Sequence, residues 1–274
     1  MLNLISIIFP FFKSSASEKT VSYKGVFESW EQATKNSAGY DSECILKKSD
    51  DILDKIITGA KKCEKDTISF DEYQYSLPLL LGLNYITKAA KDNLYVLDFG
   101  GSFASSYFRN FDVLENLNVK WTVVEQKKIV EIALAKLKHI NNLSFITSSE
   151  LDLEKKKTYN VVLFGSSLQF MQSPSDTIKN VIHQGVESII FEQTPVVNSG
   201  ERKLTVQEVK EPIYDASYPA WHFNEKELFD WIGPTFLLRH KSINPHVSNH
   251  CDGFESKLFD SKMGISFLFL ILGA

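Results

Sequence analysis

From residue 94 onward, short apolar runs alternate with longer amphipathic segments. The runs are "LYVLDF", "KWTVVEQ", "LSFIT", "YNVVLFG" and "ESIIFEQ". Between them lie "SSYFRNFDVLENL", "KKIVEIALAKLKHI" and "SDTIKNVIHQG", with apolar positions at helical spacing. Strand alternating with helix predicts a parallel sheet covered on both faces. The runs are apolar throughout rather than alternating in polarity, as strands buried on both faces are. After the fifth run the rhythm breaks. A long polar loop at about 195–220 leads to a helix near "NEKELFDWI", then to two runs, "TFLLRHKS" and "ISFLFLILG". No helical pattern joins these last two, so they are expected to pair antiparallel. Five parallel strands and an antiparallel pair make a seven-strand plan, unlike the six-strand plan of dinucleotide dehydrogenases.

Upstream, residues 1–92 read as a helical, irregular extension packing on a core of residues 93–274, with an insert at about 195–222. "WEQATKN" and "ECILKKSDDILDKIITGAKK" place Ile45, Leu46, Ile52, Leu53, Ile56 and Ile57 at helical spacing, and Gly39 punctuates between them. "LPLLLGLNYITKAAK" predicts a further helix with Pro78 in its first turn, where a missing N–H costs little.

Composition narrows the partners. The net charge is −4, whereas a nucleic-acid partner selects a strongly basic surface. Lys155, Lys156 and Lys157 read as a solvated loop. Three widely spaced cysteines, Cys44, Cys63 and Cys251, give no disulfide framework and fit a reducing compartment. The apolar start "MLNLISIIFPFF" is shorter than the ~20 residues a membrane span needs and lacks the leading basic residue of a signal peptide. It either docks on the protein itself or lies on a membrane surface as a peripheral contact. His246 and His250, followed by Cys251 and Asp252, have metal-like spacing, but no second ligand cluster accompanies them and no metal is expected.

The chemistry concentrates where the predicted strands end, as it does in open parallel sheets. The first strand ends at Asp98 and is followed by Gly100, Gly101, Ser102, Ala104 and Ser105, a degraded G-x-G-x-x-G. An acid so close to a pyrophosphate would repel it, whereas it favours the ammonium and sulfonium of S-adenosylmethionine (SAM). Glu125, 27 positions past Asp98, ends the second strand where a carboxylate accepts from both ribose hydroxyls; the competing reading is an acid at a helix start. Gln126 follows it. Ser166, Ser167 and Gln169 end the fourth strand, beside the expected sulfur and substrate. Asn160 opens that strand where methyltransferases often have Asp. Glu192 ends the fifth strand as a candidate general base or as a surface acid.

Several stretches together resemble a family of SAM-dependent methyltransferase-like proteins often associated with surface-polysaccharide gene sets. They are "FESWEQA", "SAGYD", "VLDFGGSFASSYF", "WTVVEQ", "SSLQF", the "TP" after the fifth strand, "ERKLTVQ" and "ASYPAWHF", in order over residues 25–225. The resemblance implies a class I methyltransferase fold, Rossmann-like and α/β, in a cytoplasmic enzyme using SAM. Three positions depart from the family pattern. Ala104 stands where these proteins often have Gly. Glu192 and Gln193 replace a common Asp-Arg pair. His222 falls where an apolar residue is usual. Tyr218 and Trp221, with Phe223, form either an aromatic wall for a carbohydrate ring or packing for the insert. His222 is a second candidate base by residue type. The leading expectation is methyl transfer to oxygen of a small or carbohydrate-type acceptor. The alternative is a non-catalytic scaffold of the same fold in glycan assembly. A NAD-dependent enzyme is disfavoured by Asp98 and the two terminal strands.

Overall fold

The computed structural model describes residues 20–39, 43–87, 93–153, 159–198, 200–243 and 261–271. The apolar N-terminus, the 155–157 lysines and the His246–Asp252 segment lie outside the described residues. Among the described residues no helix is long and apolar enough to cross a membrane.

Seven strands form the main sheet: β4 (Leu94–Phe99), β5 (Val119–Val124), β6 (Leu143–Ile146), β7 (Val161–Gly165), β8 (Ser188–Val197), β11 (Phe236–Ile243) and β12 (Ser261–Ile271). Their order is β11-β12-β8-β7-β4-β5-β6. The pairs from β6 through β8 are parallel, and β12 is antiparallel to both of its neighbours. This is the seven-strand plan expected of a class I methyltransferase fold. The chain turns back between β4 and β7, which opens a crevice at the carboxyl ends of those strands.

The continuous apolar runs are explained by burial on both faces. Val96, Trp121, Val161, Leu163 and Ile190 pack into one core, with α3 (Leu77–Thr87) and α6 (Lys127–Leu137) on that side. Their neighbours Leu97, Val162, Phe164, Ile189 and Phe191 pack into the other, with α8 (Pro174–His183) and α9 (Glu225–Ile232). Successive residues thus alternate between two apolar cores. Asn160 bridges strands: its Oδ1 accepts from Tyr95 N–H at 2.9 Å and its Nδ2 donates to Glu187 at 2.9 Å.

Two features depart from the sequence reading. The insert is not a loop. β9 (Lys203–Val209) and β10 (Ala216–His222) form a hairpin, and β1 (Val21–Phe27) from the extension completes a three-stranded antiparallel sheet in the order β1-β9-β10. The extension carries the expected helices α1 (Trp30–Lys35), α2 (Glu43–Ile57) and α3, but also a small hairpin, β2 (Cys63–Lys65) and β3 (Ile68–Phe70). These strands are too short, or too mixed in polarity, for periodicity to separate them from irregular chain. Both additions stand over the crevice.

Candidate active site

The crevice holds a cavity of ≈ 240 Å³. Its floor is made by Gly100, Gly101 and Ser102 after β4, Glu125 and Gln126 after β5, Gly165 and Ser166 at the end of β7, and Glu192 and Gln193, which lie in the middle of β8 where β7 stops pairing with it rather than at the strand end expected from sequence. One wall is the β2–β3 hairpin with α4 (Ser105–Arg109), which together present Glu64, Lys65, Asp66, Ser105 and Arg109. Another part of the wall is the three-stranded sheet and its connection, with Tyr23, Gln207, Tyr214 and Tyr218, joined by Ile45 and Leu46 of α2.

Backbone strain collects around this cavity. Six non-glycine residues among those described have positive φ: Asp66 (51°), Thr67 (58°), Ser102 (52°), Ala104 (66°), Ser166 (61°) and Gln193 (55°). Five of them line the cavity, and Ala104 sits in the same glycine loop as Ser102. Residues held so cost on the order of 1–3 kcal/mol each and persist where surrounding structure over-determines them, commonly at functional sites. The sequence gives a partial signal of this: Ala104 occupies a position where glycine is common in the resembling family.

Two glycines are dictated by close approach. A Cβ on Gly100, whose φ is +67°, would lie 2.6 Å from Ser167 Cβ. A Cβ on Gly101 would lie 2.5 Å from Asp98 Oδ2. The second contact shows where Asp98 is. Asp98 is two residues beyond Val96 and shares its face of the sheet, fully buried beneath the loop and outside the cavity lining. Its Oδ2 accepts from Trp121 Nε1 at 3.2 Å, while its Oδ1 has no hydrogen-bond partner among the described residues. Burial, opposed by the Trp121 hydrogen bond, pushes its pKa up to about 7.

Glu125 is placed as expected, at the end of β5 facing the cavity. Its Oε1 accepts from Ser102 N–H at 3.0 Å and its Oε2 from Gln126 N–H at 2.8 Å. Burial raises its pKa and the two backbone donors oppose that rise. Each oxygen keeps a second lone pair for a ligand hydroxyl. Ser166 donates through Oγ to Gln193 Oε1 at 3.2 Å, and Gln169 Nε2 donates to Ser166 O at 3.0 Å, so the end of β7 is tied to the middle of β8. Ser167 is buried outside the cavity lining, its hydroxyl donating to Phe99 O.

Among the substrate and base candidates, Gln169, Tyr218 and Glu192 line the cavity. Tyr218 shares a 2.8 Å hydroxyl contact with Tyr214 and receives Gln207 Nε2 at 3.3 Å. Glu192 accepts from Ser76 Oγ at 2.9 Å through Oε2 and faces the Arg109 guanidinium at 3.5 Å through Oε1. Trp221 lies outside the lining: its ring stacks on Trp30 at 6.2 Å, Arg202 lies over it at 4.5 Å, and its Nε1 donates to Met171 O. His222 is also outside it, fully buried and edge-on to Tyr23 at 4.7 Å, and burial pushes its pKa down to about 3. Of the three aromatic residues read as either a wall or packing for the insert, only Tyr218 lines the cavity, beside Tyr23 and Tyr214, while Trp221 and Phe223 pack against the protein.

Sequence reasoning missed the β2–β3 hairpin. Glu64 Oε1 accepts from Ser105 Oγ, and Oε2 accepts from Thr67 N–H at 3.1 Å. Burial pushes the Glu64 pKa up to about 7, and the neighbouring Asp66 charge adds to the rise. Lys65 is pushed down, chiefly by burial. Arg109 was also missed. Its Nε donates to Gln74 O at 2.8 Å, which fixes the guanidinium against Glu192.

No protein-family model and no curated protein matches the chain. Solved structures similar to it include the N-terminal domain of EvdMO1 in the presence of S-adenosylhomocysteine (SAH) and D-fucose. That match has TM-score 0.48 and 10% identity over 81% of this chain and 95% of that one. Another is a SAM-dependent methyltransferase from Clostridium acetobutylicum, with TM-score 0.40 and 10% identity over 84% and 93%. A third is a Burkholderia thailandensis 1,6-didemethyltoxoflavin-N1-methyltransferase with SAH, with TM-score 0.44 and 15% identity over 71% and 76%. At such identities and scores none of them decides what this chain does.

Proposed function

We propose that the chain is an enzyme that transfers a methyl group from SAM to oxygen of a small or carbohydrate-type acceptor. The observation that carries this reading is the cavity at the carboxyl ends of a β11-β12-β8-β7-β4-β5-β6 sheet. Its lining includes the glycine loop and Glu125 together with the polar and aromatic side chains of Gln207, Tyr214 and Tyr218. The donor set suits such a group. Glu125 has lone pairs free for two ribose hydroxyls, Gly100 and Gly101 let a ligand approach the backbone, and a further carboxylate, Glu64, stands at the start of α4.

When bound, SAM supplies a methyl carbon activated by a positive sulfur. The protein's part is alignment and exclusion of water. Glu125 and Gln126 hold the ribose side. Ser166, Gln169 and Glu192 line the same cavity as Tyr214 and Tyr218, beside which the acceptor would lie. Glu192 is the candidate proton acceptor within the cavity wall. By resemblance, the reading extends to a cytoplasmic protein of surface-polysaccharide assembly.

A second reading is a non-catalytic scaffold. One observation favours it: Glu192 is engaged by Ser76 and Arg109, and His222 is buried away from the cavity. Thermal unfolding with SAM, SAH and NAD separates the two. A ligand at 100 times its Kd adds about 2.7 kcal/mol, a shift of about 5–10 °C for a domain of this size. A shift with SAM and SAH but not NAD supports the methyltransferase reading. No shift at saturation turns the assignment to the scaffold.

A further inference from the structure

Four buried or half-buried carboxylates surround the glycine loop, and three are already accounted for. Asp98 is sealed beneath Gly101. Glu125 closes the β5 end of the cavity. Glu192 faces Arg109. The fourth, Glu64, comes from the added hairpin rather than from the sheet. It lines the cavity next to the first residue of α4, the opposite end of the loop from Glu125.

We infer that Glu64 is the group that receives the α-ammonium of the SAM methionyl moiety, in place of the strand-end acid Asp98. This rests on the reading of the cavity as a SAM site. The carboxylate is held from two sides by Ser105 Oγ–H and Thr67 N–H, and it makes no ion pair among the described residues. Thr67 is itself anchored to the connection between β9 and β10, its Oγ1 donating to Ile213 O at 2.8 Å. The hairpin turn at Asp66 and Thr67 is left-handed at both positions. A strained turn, fixed at both ends, thus delivers one carboxylate to the cavity. Burial pushes its pKa up to about 7 even though Lys65 and Arg109 lie near enough to oppose the rise, so a ligand ammonium placed against the carboxylate would stabilise its ionised form. The other charged and titratable groups that face it are Lys65 and Asp66 on the hairpin, Arg109 on α4, and Tyr214 on the insert.

The test compares SAH with 5′-methylthioadenosine, which keeps the adenosine and sulfur but lacks the amino acid. Both are titrated calorimetrically into the full chain and into Glu64→Gln. Loss of a hydrogen bond to a charged group predicts that the variant binds SAH about ten- to a hundredfold more weakly, with methylthioadenosine unchanged. Equal weakening of both ligands, or of neither, would overturn the assignment. Failure of the wild-type chain to bind either ligand would instead sink the SAM reading, and the inference with it. Should Glu64→Gln not fold, the wild-type chain still decides. Its SAH affinity is expected to fall as pH drops through about 7 while its methylthioadenosine affinity stays level. A flat SAH profile overturns the role of Glu64.

Discussion

The Oε1 atom of Glu125 accepts the backbone N–H of Ser102 at 3.0 Å, so the acid ending one strand clamps the left-handed loop that follows its neighbour. The same carboxylate holds Gln126 N–H at the start of α6. Glu125 therefore shapes the glycine loop as well as facing the cavity. Glu125→Ala is expected to abolish SAM-induced stabilisation while leaving a folded protein. The orphaned Ser102 N–H should cost about 1–3 kcal/mol, a fall in Tm of a few degrees. Thermal scans with and without SAM check both. Retained SAM stabilisation would overturn the ribose assignment.

Gly101 makes a sharper claim, because the obstacle to a side chain there is a buried carboxylate. A methyl group at this position would lie 2.5 Å from Asp98 Oδ2 and 2.6 Å from its Cγ. Overpacking of this kind costs about 1–3 kcal/mol. Gly101→Ala should lower the unfolding free energy from urea titration by that amount, and Asp98→Ser, which shortens the obstacle, should recover part of it. Wild-type stability in Gly101→Ala would mean that the loop is not packed on Asp98.

The strands of the main sheet were legible because burial on both faces writes an unbroken apolar run such as "VVLFG". The positions of Glu125 and the Gly100–Ser105 loop were legible because they follow from where a strand ends. The two additions over the cavity were not. β2 and β3 are three residues each and sit within irregular chain. The β1-β9-β10 sheet joins segments far apart in sequence, a pairing that no local period reveals. The location of Asp98 was misjudged for a related reason: alternation puts a strand-end side chain on one face or the other, and here that face is the core containing Trp121. Glu64 became visible only once the hairpin stood against α4.

Arg109 and Glu192 test whether a buried ion pair holds the α4 wall against the sheet. Their side chains are 9% and 6% exposed, so neither charge is solvated when its partner is removed. Breaking such a pair from one side typically costs about 3–5 kcal/mol. Glu192→Leu is expected to lose about that much in chemical denaturation, and Arg109→Leu with Glu192→Leu to lose less than the sum of the two single changes. Additive losses would show that the two side chains do not act as a pair.

Asp98 and His222 should bend the stability profile in opposite directions. The Asp98 pKa rises from 3.8 to about 7 on folding, so its neutral form is favoured in the folded state. Its contribution is complete below about pH 4 and is lost as pH rises through 7. The His222 pKa falls from 6.5 to about 3, again favouring the neutral form. Its contribution is complete above about pH 6.5 and is lost as pH falls toward 3. Each change corresponds to at most about 4–5 kcal/mol. Asp98→Asn should therefore be more stable than wild type at about pH 8 and lose that advantage near pH 4. His222→Phe should close on wild type, or overtake it, as pH falls from about 6.5 to 4. Urea midpoints of the three proteins between about pH 4 and pH 8 decide the matter. Parallel profiles would mean that neither group is held neutral by burial.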